Sequence, residues 1–428
     1  MKAIGRTLLA LAVLAVGALA WWLLRSNAPP PDTGHPVDAA SLKDPALIAK
    51  GQYLATIGDC AGCHTVQGGA PFAGGRELVT PFGSIAAPNI TPDRGTGLGD
   101  WRFEDFWRAM HNGVGQHGEL LYPVFSYTSY TKVRRDDALA IFAYLQSVPA
   151  VQNTVPAPTL RFPYNVRNGL KAWRALYFKE GEYREDPSKS ASWNRGAYLV
   201  QGLAHCNECH IARDALGGAR DDAPLSGGPI PAQNWYAPDL STQANGGLAG
   251  WNEQDIVDLL KTGKSSRGTA FGPMAEVVVR STQHLQDSDL HGIAEYLQSL
   301  PPRPVAAEVK LPFDTKALAE RGRDIYTKQC ADCHGDDGKG KNGIYPPLDG
   351  NASVTEPTGA NATRVVLLGG FAPSTQANPR PYSMPPFAQQ LSDADVAAVV
   401  TYIRTAWSNR ATIVRDRDVS GLRQTPVD

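Results

Sequence analysis

The sequence predicts an all-α protein: three tandem helical units with long loops, preceded by an N-terminal membrane-anchoring helix. Three observations carry this expectation. All six cysteines fall in the pattern Cys-x-x-Cys-His, which occurs three times, more than a hundred residues apart. Each copy sits in a repeat that closes with an amphipathic helix pattern. Glycine and proline number 42 and 33, high for a helical chain, and imply long loops between the helices.

At the N-terminus, Lys2 and Arg6 precede an almost wholly apolar run from Thr7 to Leu24, closed by Arg25. Ala18-Leu19-Ala20 fits a signal-peptide cleavage site. Cleavage there leaves Trp21-Trp22-Leu23-Leu24 as an exposed apolar start, whereas the intact 18-residue run is about the minimum that spans a bilayer. A tryptophan pair near its outer end suits the membrane interface, so a retained anchor is the favoured expectation. Residues 1–27 are therefore read as a signal or anchor helix and 28–44 as a linker, with the body outside the cytoplasm.

The body divides into units at 45–155, 191–303 and 315–410, with linkers at 156–190 and 304–314 and a tail at 411–428. Each unit has a glycine shortly before its first cysteine: Gly51, Gly196 and Gly322. Each has a Pro-x-aliphatic step after the motif: Pro88-Asn89-Ile90, Pro238-Asp239-Leu240 and Pro346-Pro347-Leu348. Each ends on a helix pattern around Tyr144, Tyr296 or Tyr402, opened by acidic residues that suit the positive end of a helix dipole. Trp101, Asp105 and Gly113 recur at the same spacing as Trp251, Asp255 and Gly263, on what reads as a middle helix. Core packing is the expected role of these tryptophans.

The motif copies are Cys60-Ala61-Gly62-Cys63-His64, Cys206-Asn207-Glu208-Cys209-His210 and Cys330-Ala331-Asp332-Cys333-His334. Two thiols at this spacing can bond the two vinyl groups of one porphyrin, and the histidine that follows is brought under the ring to ligate its iron. The expected cofactors are three covalently bound haem c groups, held by Cys60 and Cys63, Cys206 and Cys209, and Cys330 and Cys333. His64, His210 and His334 are the expected proximal ligands. A structural zinc site calls for two Cys-x-x-Cys knuckles about 15–20 residues apart, and a thioredoxin-like dithiol does not require the histidine.

The sixth iron position separates electron carriage from catalysis, and a methionine thioether there favours carriage. Met274, in Phe271-Gly272-Pro273-Met274, and Met384, in Tyr382-Ser383-Met384-Pro385-Pro386, both fall in loop-like segments just before a closing helix, which marks them as distal ligands. The matching window of the first unit, Tyr122-Pro123-Val124-Phe125-Ser126, has no methionine. Met110 lies earlier, where packing is its expected role; His117, in Gly115-Gln116-His117-Gly118, is either a replacement ligand or a solvated loop histidine, and His111 and His205 are similarly ambiguous. The first iron is thus left open between five-coordinate, bis-histidine and another ligand set.

Several segments resemble the three-haem cytochrome c subunit of bacterial membrane-bound dehydrogenases, the type serving alcohol, gluconate, sorbitol, fructose and aldehyde oxidation. They include Gly196-Ala197-Tyr198-Leu199-Val200, Leu259-Leu260-Lys261-Thr262-Gly263, Gly272-Pro273-Met274-Ala275-Glu276 and Met384-Pro385-Pro386-Phe387-Ala388. The resemblance runs from about Ala49 to Leu422 and implies three class I cytochrome c-like domains. In many relatives a methionine stands where this chain has Phe125.

The resemblance further implies a partner: a catalytic dehydrogenase subunit of quinoprotein, flavoprotein or molybdopterin type. The chain would pass that subunit's electrons to ubiquinone or another acceptor, at the periplasmic face of the bacterial inner membrane. No nucleophile–base constellation stands out, so a non-catalytic subunit is expected. Net charge is −1, which gives no sign of nucleic-acid binding. Two alternatives stay open from the residues: a free-standing membrane-anchored carrier, and a peroxidase-like haem enzyme using an open first haem.

Overall fold

The computed structural model describes residue 17 and residues 37–220, 223–241, 247–302, 315–341 and 343–424. They form two compact units. One holds the described residues up to Gly51 together with Val66–Glu182; the other holds Gln52–Thr65 together with the described chain from Tyr183 onward. The helix Pro45–Ile57 runs across this boundary.

In the first unit, the closing helix Arg135–Ser147 crosses the earlier helix at Gly51. A Cβ on Gly51 would sit 1.8 Å from the Ala140 carbonyl oxygen and 2.9 Å from the Tyr144 Cβ. The second unit repeats this crossing twice. Gly196, in the helix Ala191–Tyr198, meets Gly292 of the helix Asp287–Gln298, where an added Cβ would lie 1.8 Å from the Gly292 oxygen. Gly322, in Thr315–Gln329, meets Ala398 of Asp393–Thr405, with 2.1 Å to the Ala398 oxygen and 2.8 Å to the Tyr402 Cβ. The recurring glycine is therefore a contact of two helix backbones, which no side chain can share.

The recurring Trp-Asp-Gly triplet also has a local cause. Asp255 is the third residue of the helix Glu253–Thr262; its carboxylate accepts from the Asn252 N–H at 3.0 Å, while the Asn252 side chain accepts from the Asp255 N–H at 2.8 Å. This reciprocal box satisfies two amide donors that the first turn leaves without helical partners. Asp105 stands in the same place in Phe103–Asn112 and accepts from the Arg102 N–H at 3.1 Å. Gly113 and Gly263 close the two helices in the left-handed conformation, φ 61° and 78°. The tryptophans lie just outside, before each N-terminus.

The fold departs from an all-α chain in small ways. In the first unit, Glu77–Thr80, Gly83–Ala86 and Thr159–Leu160 pair as an antiparallel three-stranded sheet, with Leu78 opposite Ile85 and Ser84 opposite Thr159. Among the described residues of the second unit, three two-stranded ladders occur. The segment 156–190, expected as a linker, carries the third strand of that sheet and the helix Leu170–Tyr177. Arginines strap it down: Arg167 donates to the Leu120 carbonyl at 2.6 Å and Arg174 to the Asn112 carbonyl at 2.5 Å. The tail likewise contains the helix Asp416–Arg423, whose Val419 is fully buried and whose Arg423 pairs with Asp393 at 2.6 Å.

Among the described residues no helix is long and apolar enough to cross a membrane. Apart from residue 17, the expected anchor at Thr7–Leu24 lies outside the described residues.

Candidate functional site

The second motif is reached through an altered helix. Ala191–Tyr198 runs into a π-helical turn, Leu199–Leu203, a wider turn that recurs at functional sites. His205 then takes φ 39° and the chain tightens into a 3₁₀ turn at Cys206–Glu208. The ring of His210 follows, its Nδ1 2.7 Å from the Pro238 carbonyl oxygen. In the third repeat the short helix Ala331–His334 ends on His334, whose Nδ1 lies 3.0 Å from the Pro346 carbonyl oxygen.

A carbonyl oxygen only accepts, so Nδ1 must carry the proton in both rings and Nε2 keeps its lone pair. That tautomer, fixed by a carbonyl behind it, is the form in which histidine binds a metal. Burial pushes the pKa of both histidines down, keeping them neutral, with the proline carbonyls opposing in part. In these two repeats the Pro-x-aliphatic step thus supplies the acceptor that orients the motif histidine. The step is visible in the sequence; its role is not.

The thiols fit the same purpose. Burial pushes Cys60, Cys206 and Cys330 up to about 12 and Cys209 to about 11. A thioredoxin-like nucleophilic cysteine needs its pKa lowered, so these environments disfavour that use. Cys63 and Cys333 are exposed at the other end of their pairs.

Met384 lies in the strand Ser383–Met384, held opposite Gly370 by the ladder to Gly370–Phe371. Half-buried, it packs with Cys330, Leu348 and Leu368 against the core of the third repeat. Met274 departs from its expected loop setting and occupies the first turn of the helix Gly272–Arg280. Pro273 fits there because a first-turn N–H has no helical partner to lose. Gly272 takes φ 51° beneath the Trp235 ring, where a Cβ would lie 2.6 Å from Cε2. Each of these two repeats therefore offers two thiols, an imidazole with its Nε2 lone pair, and a half-buried thioether. The donor set suits a covalently held haem.

The first repeat is distributed differently. Its attachment helix, Cys60–His64, belongs to the second unit, while Tyr122–Ser126 belongs to the first. Within the first unit, Phe125 closes a turn onto the Tyr122 carbonyl at 3.0 Å and its ring lies 5.4 Å from that of Tyr130. Met110 is buried in Phe103–Asn112, in keeping with packing. His111 stacks on Trp107 with ring centroids 4.4 Å apart and faces Glu180 at 3.5 Å. His117 is exposed in a turn in which the Gly118 N–H donates to the Gly115 carbonyl.

A triad that the sequence does not disclose ties Gln52–Thr65 to the second repeat. Tyr53 donates to Asp289 at 2.8 Å and accepts from the Gln286 N–H at 3.0 Å, while Arg195 makes two bonds to the Asp289 carboxylate, both 2.9 Å. Burial pushes the Asp289 carboxyl up, but the hydrogen bonds and charge of Arg195, with Tyr53, prevail and hold it below its ordinary value. A lowered folded-state pKa contributes stability above the unfolded value, about 3.9, and loses it as pH falls through the folded value. Asp289→Asn should therefore cost about 2 kcal/mol at pH 7. Its deficit against the native chain should shrink below pH ~4, as urea unfolding at a series of pH values would measure.

Small helical repeats that present paired thiols, an oriented imidazole and a thioether define a protein that binds haem covalently. Comparison with known proteins agrees. A cytochrome c family model matches residues 48–149, 194–301 and 319–407, and the chain belongs to the cytochrome c family. It carries haem c. The chain is 38% identical over 398 residues to the cytochrome c subunit of the quinone-type alcohol dehydrogenase of Gluconobacter oxydans, covering 89% of this chain and 83% of that one. It is 37% identical to the gluconate 2-dehydrogenase cytochrome c subunit of Pantoea cypripedii, covering 89% and 90%. It is 34% identical to the fructose dehydrogenase cytochrome subunit of Gluconobacter japonicus, covering 86% and 81%.

Proposed function

We propose that this chain is the three-haem electron-transfer subunit of a membrane-bound dehydrogenase. Its three haem domains occupy 45–155, 191–303 and 315–410, and its N-terminal segment holds it at the periplasmic face of the inner membrane. Cys60, Cys63, Cys206, Cys209, Cys330 and Cys333 would bind the haems; His64, His210 and His334 would ligate the irons, with Met274 and Met384 as further ligands in the second and third repeats. The observation that carries the reading is the site built twice: a neutral imidazole with Nδ1 on a proline carbonyl, 2.7 Å and 3.0 Å away, in repeats that also place a methionine before the closing helix. Relatives matched over most of their length carry the names of dehydrogenase cytochrome subunits, which supports the assembly role.

Bound haem supplies one-electron redox chemistry. The residues of this chain fix the histidine tautomer, shield the proximal rings from water and present a soft sulfur donor, which raises the reduction potential. The dehydrogenase partner oxidises its substrate, and the chain passes the electrons on to ubiquinone or another acceptor. Purification from native membranes tests this directly. The expected result is a copurifying large dehydrogenase subunit, identified by mass spectrometry, whose substrate reduces the haems. A solitary chain that no alcohol, aldehyde or sugar donor reduces would sink the reading.

A further inference from the structure

His205 stands directly before Cys206, and burial lowers its pKa and keeps it neutral, yet the proximal role in its repeat falls to His210. Its ring reaches the first attachment segment instead: Nε2 lies 3.2 Å from the Gly58 carbonyl oxygen, and since a carbonyl only accepts, Nε2 carries the proton. Ser281 makes a parallel contact, its Oγ donating to the Ile57 carbonyl at 3.0 Å, and Ser281 and Ile57 are both buried. Arg280 reaches the Ala61 carbonyl at 3.5 Å, and Leu203 packs against Gly58. Four residues from two turns of the second repeat thus grip residues 57–61.

The two attachment turns are also alike. Asp59 and His205, the residues directly before Cys60 and Cys206, both take the left-handed conformation, φ 46° and 39°. For residues other than glycine this backbone costs on the order of 1 kcal/mol and persists only where surrounding contacts over-determine it. Here the ring of one such residue holds the turn that contains the other. The Tyr53–Asp289–Arg195 triad pins the preceding helix to the same repeat.

We infer that His205, with Ser281, is a positioning residue that locks the first attachment turn against the second, so that the haems at Cys60–Cys63 and Cys206–Cys209 form an interacting redox pair. The inference rests on covalent haem at both motifs. Charge placed on one member is felt by the other through a low-dielectric seam, so each couple depends on the oxidation state of its neighbour.

The test is an optical and electron-spin-resonance redox titration of the full holoprotein. Two of three couples should show mutual interaction in the native chain. His205→Leu should reduce that interaction several-fold, and Ser281→Ala should reduce it less. His205→Gln should retain it, because its amide N–H can reach the same carbonyl. The couple at His334 should not move in any variant, which separates repositioning from unfolding. Three independent couples in the native chain, or an unchanged interaction in both His205→Leu and Ser281→Ala, would overturn the inference. Haem content of the denatured samples separates the two levels: fewer than three haems removes the relay reading as well, whereas three haems without interaction removes only the pair.

Discussion

Gly196→Leu is expected to unfold the second repeat at physiological temperature. A Cβ at this position would overlap the Gly292 carbonyl oxygen at 1.8 Å and its carbon at 2.2 Å. Overpacking a core by side-chain atoms costs about 1–3 kcal/mol because neighbours can change rotamer. A backbone oxygen has no rotamer, so the two helices must separate, and with them Trp193 and Tyr296, whose rings meet at 5.2 Å. The cost should exceed ~4 kcal/mol, or roughly 15 °C in melting temperature for a repeat of this size. Gly322→Leu should do the same to the third repeat. Gly421, in the helix Asp416–Arg423, is the contrast: nothing lies within 4 Å of its added Cβ, and Gly421→Ala should stabilise by up to about 1 kcal/mol. Thermal unfolding followed by circular dichroism and haem absorbance measures all three. A Gly196→Leu chain melting within a few degrees of the native one would remove helix contact as the reason for the recurring glycine.

That glycine shows where the sequence is legible. Its recurrence can be read because the repeats align, but its cause involves a partner 96 residues away in Gly196–Gly292, which no local pattern reveals. The thiols and proximal histidines are readable because their chemistry is confined to five adjacent residues. The proline carbonyls behind His210 and His334 are not, since every residue owns a carbonyl and only the fold aims one at a ring. His205 is ambiguous in sequence for the same reason: its partner Gly58 is 147 residues distant. Met274 shows a local error of another kind. Gly-Pro reads as a loop, yet glycine can supply a left-handed entry and proline a first helical turn, and here both do. The segment 156–190 reads as a linker because nothing local shows what its arginines bind; the structure straps them to distant carbonyls.

Met384→Ala is expected to open the sixth position of the third haem, and Met274→Ala that of the second. The internal methionines are placed very differently. Met110 is 6% exposed in the buried helix Phe103–Asn112, so its replacement by alanine leaves a cavity and costs about 2–5 kcal/mol, with no iron affected. Met274 and Met384 are only half-buried, one at a helix start and one in a two-residue strand, so each has less packing to lose and its sulfur is available to a ligand. Axial ligands move haem potentials across about 0.8 V, and loss of a thioether should lower the affected couple by a sizeable part of that span. The variant should also lose its share of the sulfur-to-iron charge-transfer absorption and gain high-spin character. Because the first repeat has Phe125 where a methionine would serve, the native chain should show that absorption from two irons, the double variant from none. If Met384→Ala keeps the native potential and spectrum while Met110→Ala changes them, the assignment of distal ligands is reversed. Equal loss of stability in all three variants with unchanged spectra would reduce Met274 and Met384 to packing residues.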